Sequence, residues 1–276
     1  MIILLDEPLD TQHYGGKADR LSTCLRARLP VPAGIVLHSD LVARLAQGHL
    51  ASGERTLLGQ HLVRFGTAAL AVRSSAIGED GTDASFAGQH ETRLNVRGLD
   101  GVLSAISAVW ASGQTESARR YRARMGIRGE PCVAVIVQDF IPAEVAGVLF
   151  TVDPISGSRE RWIIEASWGP GEAVVNGLVT PDHYTIAPTS ELLGRQLGNK
   201  ERMIALDEHG GTHEMAVADA ERVQQACLDE EVLARLAALG AACEDLFGPA
   251  QDIEWALVGT RLFLLQCRPV TSGGHP

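Results

Sequence analysis

Apolar and polar positions along this chain alternate with two periodicities, one typical of helices and one typical of strands. Apolar residues recur at helical spacing in three stretches, 16–28, 102–110 and 230–247. The last stretch follows Asp229, a suitable N-cap, and stops at Gly248. The pattern therefore predicts three amphipathic helices spread along the whole chain.

Short β-rich runs lie between these helices. Two stand early, three follow one another in the middle of the chain, and two close it. The three middle runs are separated only by proline and glycine breaks, which predicts that they belong to one sheet. A serine- and glycine-containing stretch, 74–91, is expected to form a long loop. The expected strands are 34–38, 70–73, 132–140, 145–152, 161–166 and a terminal pair around 252–257 and 261–269.

Composition narrows the classes of protein. The chain has 276 residues, 45% of them hydrophobic, which suits a globular core and excludes disorder. A net charge of −10 disfavours nucleic acid and anionic lipid as general partners. No segment reads as a signal peptide or a membrane span. Five cysteines without a C-x-x-C pair indicate neither a disulfide framework nor a zinc site, so we expect a cytoplasmic protein.

Common phosphate-binding motifs are absent. There is neither a P-loop nor a Rossmann fingerprint. Lys17 follows two glycines at a helix start, where an ammonium could reach a phosphate, although an ordinary surface lysine is the simpler interpretation of that spacing alone. Arg73 leaves a strand and enters the glycine loop, which could cradle an anion. His209 and His213 flank two glycines and are expected to lie in a polar loop.

The carboxyl end carries the most specific pattern. Strand alternation places Asp252 and Glu254 on one face, and Gln266 and Arg268 on one face of the next strand. A three-residue turn, 259–261, would pair Glu254 with Gln266 and Asp252 with Arg268, and would leave Phe263, Leu265 and Cys267 on the apolar face. Oxygen ligands of this kind suit Mg²⁺ together with substrate phosphates. A solvated surface hairpin is the alternative.

These segments together resemble the ATP-grasp nucleotide-binding domain of the pyruvate phosphate dikinase and phosphoenolpyruvate synthase family, which includes rifampin phosphotransferase. The resemblance runs in order along nearly the whole chain. The matching segments are Gly15-Gly16-Lys17, 29–34, 72–76, Glu79-Asp80, 84–89, Val137-Gln138, 146–151, Asp153-Pro154, 168–169, Gly171-Glu172, 252–255 and 266–269.

The resemblance implies an α+β ATP-grasp fold of two α/β lobes with ATP held between them, and it implies roles for individual residues. Catalytic roles fall to three cations that bind phosphates: Lys17, Arg73 and Arg268. Further nucleotide-binding positions are Ser74, Gly88 and Thr92 in and around the loop, and Gln138 near the adenine. Mg²⁺ would be held by Glu254 and Gln266, with Asp252 nearby.

The resemblance also implies a domain organisation. Residues 1–276 would form one nucleotide-binding domain, with a smaller, trimmed lobe at 1–95 and a larger lobe at 96–276 that carries the metal site. The swivelling phosphohistidine domain and the pyruvate-binding domain of the complete enzymes are not expected. Pro170 stands where the family pattern has leucine.

Three functions remain open from the sequence. The first is an ATP-dependent phosphotransferase component that passes phosphoryl from Mg-ATP to a histidine carrier on another domain or chain, giving AMP and phosphate. The second is a self-contained ligase or kinase that acts on an unknown small molecule and releases ADP. The third is a non-catalytic nucleotide-sensing module, which is disfavoured because buried unpaired charges cost stability unless a ligand offsets them.

Overall fold

A computed structural model describes residues 1–49, 51–77, 91–116, 119–120 and 132–270 of the chain. Helices and antiparallel strands are mixed throughout these residues, which confirms the predicted α+β class. The helices are α1 (Thr11–Arg26), α2 (Ser39–Ala46), α3 (Ser52–Leu62), a 3₁₀ turn (Val63–Phe65), α4 (Gly98–Ser112), α5 (Glu172–Val175), α6 (Ala220–Gln224) and α7 (Glu230–Phe247). The strands are β1 (Ile2–Leu4), β2 (Gly34–Leu37), β3 (Leu70–Ala76), β4 (Thr92–Val96), β5 (Val133–Asp139), β6 (Val145–Phe150), β7 (Trp162–Trp168), β8 (Asp182–Ile186), β9 (Leu192–Gln196), β10 (Arg202–Leu206), β11 (Thr212–Ala216), β12 (Gln251–Val258) and β13 (Arg261–Pro269).

The described residues within 1–26, 32–140 and 206–212 form one compact unit around an antiparallel sheet of order β1-β2-β5-β3-β4. Alternate residues of β3 and β5, such as Val72 and Val135, pack into a hydrophobic core with α2 and α4. Helix α1 lies on the opposite face, where its Ala18 N–H donates to the hydroxyl of Ser75 at 3.0 Å. The first sheet is therefore covered on both faces.

The described residues within 27–31, 141–205 and 213–276 form the second compact unit. Its antiparallel sheet has the order β13-β12-β6-β7-β8-β9. Helix α7 packs on one face, and its Gly240 lets Trp162 approach closely: a Cβ at Gly240 would lie 2.6 Å from Cζ3 of that ring. The other face carries Glu254.

Helix α7 begins and ends as the sequence predicted. The Asp229 carboxylate accepts a hydrogen bond from the Val232 N–H, which caps the first turn, and Gly248 ends the helix with φ 85°. Strands β10 and β11 form a separate two-stranded sheet in the stretch that the sequence left unassigned. Within the first unit, Asn95 donates to the backbone carbonyls of Asp207 and Gly211, the loop of that hairpin.

The prediction that the three middle strands share one sheet is wrong. Strand β5 lies between β2 and β3 in the first sheet, whereas β6 and β7 are neighbours in the second. Hydrophobic alternation fixes which face of a strand is buried, but it carries no information about which strand lies beside it. The two compact units divide the chain at other positions than the expected lobes 1–95 and 96–276, because α4 and β5 pack with the first sheet.

No helix among the residues that the structure describes has the length and apolarity needed to cross a membrane.

Candidate functional site

The predicted phosphate-binding lysine sits just after a break in α1. Gly15 has φ 78° and ψ 164°, which interrupts the helix, and the helix resumes at Gly16. A Cβ at Gly15 would lie 2.4 Å from both the backbone oxygen and the hydroxyl oxygen of Ser75, so only glycine permits this approach. Lys17 follows in the first turn of the resumed helix and is 9% exposed. The break therefore brings the start of the resumed helix, which includes Lys17, close to Ser75 of β3.

Arg73 lies on the face of the first sheet that α1 covers. It is 8% exposed and pairs with Thr92 of β4, so both side chains lie on the same face. Ser75, two residues further along β3, reaches α1 from that face. The structure thus brings Lys17, Arg73 and Thr92 to one side of the first sheet. Gly88 lies outside the residues that the structure describes.

Ser74 is placed differently from the expectation. Its strand partner Val135 belongs to the hydrophobic core with α2 and α4, so the Ser74 side chain lies on the face opposite Arg73. Its hydroxyl is buried and has no hydrogen-bond partner among the described residues. Ser75 is the serine that faces α1, and no role was predicted for it. Side chains two residues apart in a strand lie on the same face, so Ser75 shares the face of Arg73.

Gln138 is 2% exposed, and its amide donates to the backbone oxygen of Pro32 at 3.0 Å. Its strand partners Gly34 and Ala71 place it on the α1 side of the sheet. The amide therefore holds the segment before β2 in place. The neighbouring Asp139 is partly buried, and burial raises the pKa of its carboxyl above the ordinary value.

Burial likewise raises the pKa of Asp19, two residues after Lys17, although Arg26 and Arg20 oppose that effect.

The terminal hairpin brings the four predicted residues onto one face of the second sheet. Glu254 pairs directly with Gln266, and Asp252 pairs with Arg268. The Arg268 guanidinium donates to one oxygen of Asp252 through Nε at 2.8 Å and makes an ion pair through Nη2 at 2.7 Å. Gln266 is 4% exposed and Glu254 is half-buried. The predicted pairing is confirmed.

The turn that produces this pairing is not the predicted one. Val258 pairs with Arg261, so the turn has two residues, and Gly259 takes φ 54°. The register shifts between Glu254 and Trp255, whose partners are Gln266 and Leu264, and Leu265 is left as a bulge.

The bulge also changes which side chains are buried. Leu262, Leu264 and Cys267 lie on the apolar face instead of the expected Phe263, Leu265 and Cys267. The extra residue restores on β13 the register that an odd-length turn would have given.

The donor set on this face suits a hard cation. Glu254 offers a carboxylate and Gln266 an amide oxygen from directly opposed positions. Mg²⁺ commonly takes only one or two ligands from the protein when substrate phosphates supply the others. The carboxylate of Asp252 is engaged with Arg268, so its first role is to orient that guanidinium. Among the described residues, no group of three or more His, Cys, Asp or Glu side chains could hold a metal ion.

The two histidines beside Gly210 do not form a metal pair. His209 lies in the turn between β10 and β11, and His213 lies in β11. No helix runs through this segment, so the helical i, i+4 geometry that would bring two imidazoles together is missing.

Comparison with known proteins places the chain in a family. The family described as "Pyruvate phosphate dikinase, AMP/ATP-binding domain" matches residues 55–275. Rifampicin phosphotransferase of Streptomyces sviceus is 41% identical over 239 residues, covering 86% of this chain and 26% of that protein. A probable phosphoenolpyruvate synthase of Methanocaldococcus jannaschii is 40% identical over 205 residues, covering 74% of this chain and 17% of that protein.

The fold is thus that of an AMP/ATP-binding domain. The chain belongs to the pyruvate phosphate dikinase AMP/ATP-binding domain family, whose members here include phosphotransferases. It spans about a quarter or less of these two relatives. Among solved structures, VanG D-Ala:D-Ser ligase from Enterococcus faecalis is 8% identical with a TM-score of 0.45 and covers 91% of this chain and 51% of that chain, a likeness too weak to bear on fold or function.

Proposed function

We propose that this chain is the ATP-binding component of a dikinase-like phosphotransferase. It binds Mg-ATP and passes a phosphoryl group to a histidine on a carrier domain or chain, and AMP and phosphate are released with the consumption of one water. The observation that carries the proposal is the cross-strand pair of Glu254 and Gln266 beside the ion pair of Asp252 and Arg268 in a domain of this family.

Phosphoryl transfer depends mainly on positioning and on neutralising phosphate charge. Lys17, Arg73 and Arg268 are proposed to bind phosphate oxygens. Glu254 and Gln266 would hold Mg²⁺, which would offset the negative charge of the phosphates. Asp252 fixes the orientation of Arg268 before the nucleotide arrives, so less ordering is left for binding.

The remaining predicted residues have supporting roles. Thr92 shares the face of Arg73, and with Gly88 it would line the loop over the phosphates. Gln138 supports the adenine end by holding the Pro32 carbonyl. Ser74 can contribute only through its backbone, because its side chain lies in the core.

The test of nucleotide binding is thermal unfolding with and without Mg-ATP. A ligand at 100 times its Kd adds about 2.7 kcal/mol of stability, which corresponds to roughly 5–10 °C in Tm for a chain of this size. Glu254→Gln should remove the part of the shift that EDTA removes from the wild type. His213→Ala, outside the proposed site, should keep the full shift. An unchanged Tm of the wild type at millimolar Mg-ATP would refute the proposal.

Product analysis tests the direction of the chemistry. The chain alone should turn ATP over slowly or not at all, and a histidine-carrier protein should make AMP appear. Steady ADP release with a small-molecule acceptor would instead support a self-contained ligase or kinase. Chromatography of the product nucleotide separates the two outcomes.

A further inference from the structure

A row of side chains crosses the second sheet on the face that carries Glu254. Directly paired residues of antiparallel strands lie on the same face, so the pairing of each strand with its neighbours defines the members of the row. Its polar members lie on both sides of one valine, Val148. From β13 to β9 the row is Gln266, Glu254, Val148, Glu165, His183 and Gln196.

Glu165 and His183 form a second polar pair in this row. Nδ1 of His183 lies 3.9 Å from Oε1 of Glu165, and the two side chains are 41% and 37% exposed respectively. Val148 is 8% exposed and separates Glu165 from Glu254. With strands ~4.8 Å apart, the backbones of Glu254 and Glu165 stand roughly 10 Å from each other. A group bound at Glu254 therefore has Glu165 and His183 beside it across a shallow apolar floor.

Stability does not account for this pair. An ion pair between side chains this exposed contributes little to folding. The neighbouring residues of β7, Ile163 and Ser167, share the face of Glu165 and are 6% and 1% exposed. A carboxylate and an imidazole that stay accessible on such a face are suited to meet a ligand.

We propose that Glu165 receives the imidazole of the phosphoryl-accepting histidine and that His183 is a positioning residue for Glu165. This inference rests on the proposed function. A nucleophilic imidazole needs one ring nitrogen unprotonated towards phosphorus and the other held as N–H. A carboxylate that accepts this N–H selects the tautomer and stabilises the charge that grows on the ring.

The reaction balances with one water: attack on the β-phosphorus releases AMP and leaves a pyrophosphoryl group on the ring, and hydrolysis of that group releases phosphate. The free ring nitrogen of the acceptor forms a bond to phosphorus while the bond from phosphorus to the leaving oxygen of ATP breaks. The electron pair of that bond stays on the oxygen of the departing AMP. The ring N–H of the acceptor remains hydrogen-bonded to Glu165, which offsets its positive charge.

Binding of a histidine mimic tests the proposal. N-acetylhistidine amide is titrated into the chain saturated with Mg²⁺ and AMP-PNP, and ligand-detected NMR measures its Kd. Glu165→Gln should weaken the mimic roughly ten- to a hundredfold, as expected for loss of a charge-assisted hydrogen bond. His183→Asn should weaken it several-fold. The Kd of AMP-PNP should stay within about threefold in both variants, a split that a merely structural role would not produce.

Glu208→Gln and His209→Asn are matched controls, because these exposed residues lie in the β10–β11 turn. Both should bind the mimic like the wild type. Absence of saturable binding to the wild type, or unchanged binding to Glu165→Gln, overturns the inference and leaves the proposed function standing. Equal loss of mimic and AMP-PNP in Glu165→Gln overturns it too, since Glu165 would then serve the nucleotide. A wild type that binds no AMP-PNP refutes the proposed function and this inference with it.

Discussion

Removing one charge from the buried ion pair of Asp182 and Lys200 should destabilise the second unit strongly. Both side chains have 0% exposure, and the Lys200 ammonium donates to Oδ1 of Asp182. The same carboxylate accepts from the backbone N–H groups of Gly198 at 2.9 Å and Cys227 at 2.8 Å, and from the hydroxyl of Tyr184 at 3.2 Å. Asp182 therefore joins the start of β8 to the segments before β10 and before α7.

Asp182→Asn keeps the shape and the acceptor for one or two N–H groups but leaves the ammonium of Lys200 uncompensated. Breaking a buried pair from one side costs about 3–5 kcal/mol. At roughly 2–4 °C per kcal/mol, Tm should fall by about 6–20 °C. Tryptophan fluorescence follows this transition, because three of the four tryptophans, at 162, 168 and 255, lie in the second unit.

The double variant Asp182→Asn with Lys200→Met completes the experiment. If the cost arises from an unpaired buried charge, removing that charge should restore most of the lost stability, to within about 1–2 kcal/mol of the wild type. A double variant less stable than Asp182→Asn alone would refute this reasoning. A loss below about 1 kcal/mol in the single variant would do the same, since the pair would then be solvated.

Three further predictions test other parts of the structure. Gly15→Ala should cost several kcal/mol of stability and abolish the Mg-ATP shift in Tm, because the added Cβ would lie 2.4 Å from Ser75 of β3. The control Gly48→Ala has φ 75° but open space around its Cβ, so denaturant unfolding should show a cost of only about 1 kcal/mol. Burial, and to a lesser degree the nearby charge of Asp182, raise the pKa of the Cys227 thiol. This thiol should therefore resist iodoacetamide at pH 8 in the native protein and react after unfolding, and rapid labelling of the native protein, measured by mass spectrometry, would contradict the prediction. Leu264→Ala should cost about 2–5 kcal/mol of stability and Leu265→Ala clearly less, because of these two only Leu264 is fully buried. If Leu265→Ala lowered the unfolding midpoint more than Leu264→Ala, the result would favour the three-residue turn over the observed two-residue turn.

Much of the candidate site was predictable because its geometry is local. The alternation of β12 and β13 puts Asp252 with Glu254 and Gln266 with Arg268, and burying Trp255 forces these polar residues onto the other face. Either an odd turn or a bulge satisfies that requirement. The sequence pattern demanded one extra residue in the hairpin, and the folded chain places it at Leu265.

The boundaries of α7 were local as well. Asp229 caps its first turn and Gly248 ends it, and both effects act within one turn of the helix. The placement of Ser74 has a related cause: in a strand the face changes with every residue, so the Ser74 side chain lies on the face opposite Arg73, whereas Ser75 shares the face of Arg73.

Strand order was beyond the reach of the sequence alone. Strands β5, β6 and β7 have similar hydrophobic patterns, and only tertiary packing sends β5 between β2 and β3 and the others to the second sheet. The row that joins Glu254 to Glu165 and His183 depends on that order, because these residues are far apart in the chain and become neighbours through three successive strand pairings. Local periodicity determines which face of each strand a side chain takes, and the pairing of distant strands determines which side chains it meets there.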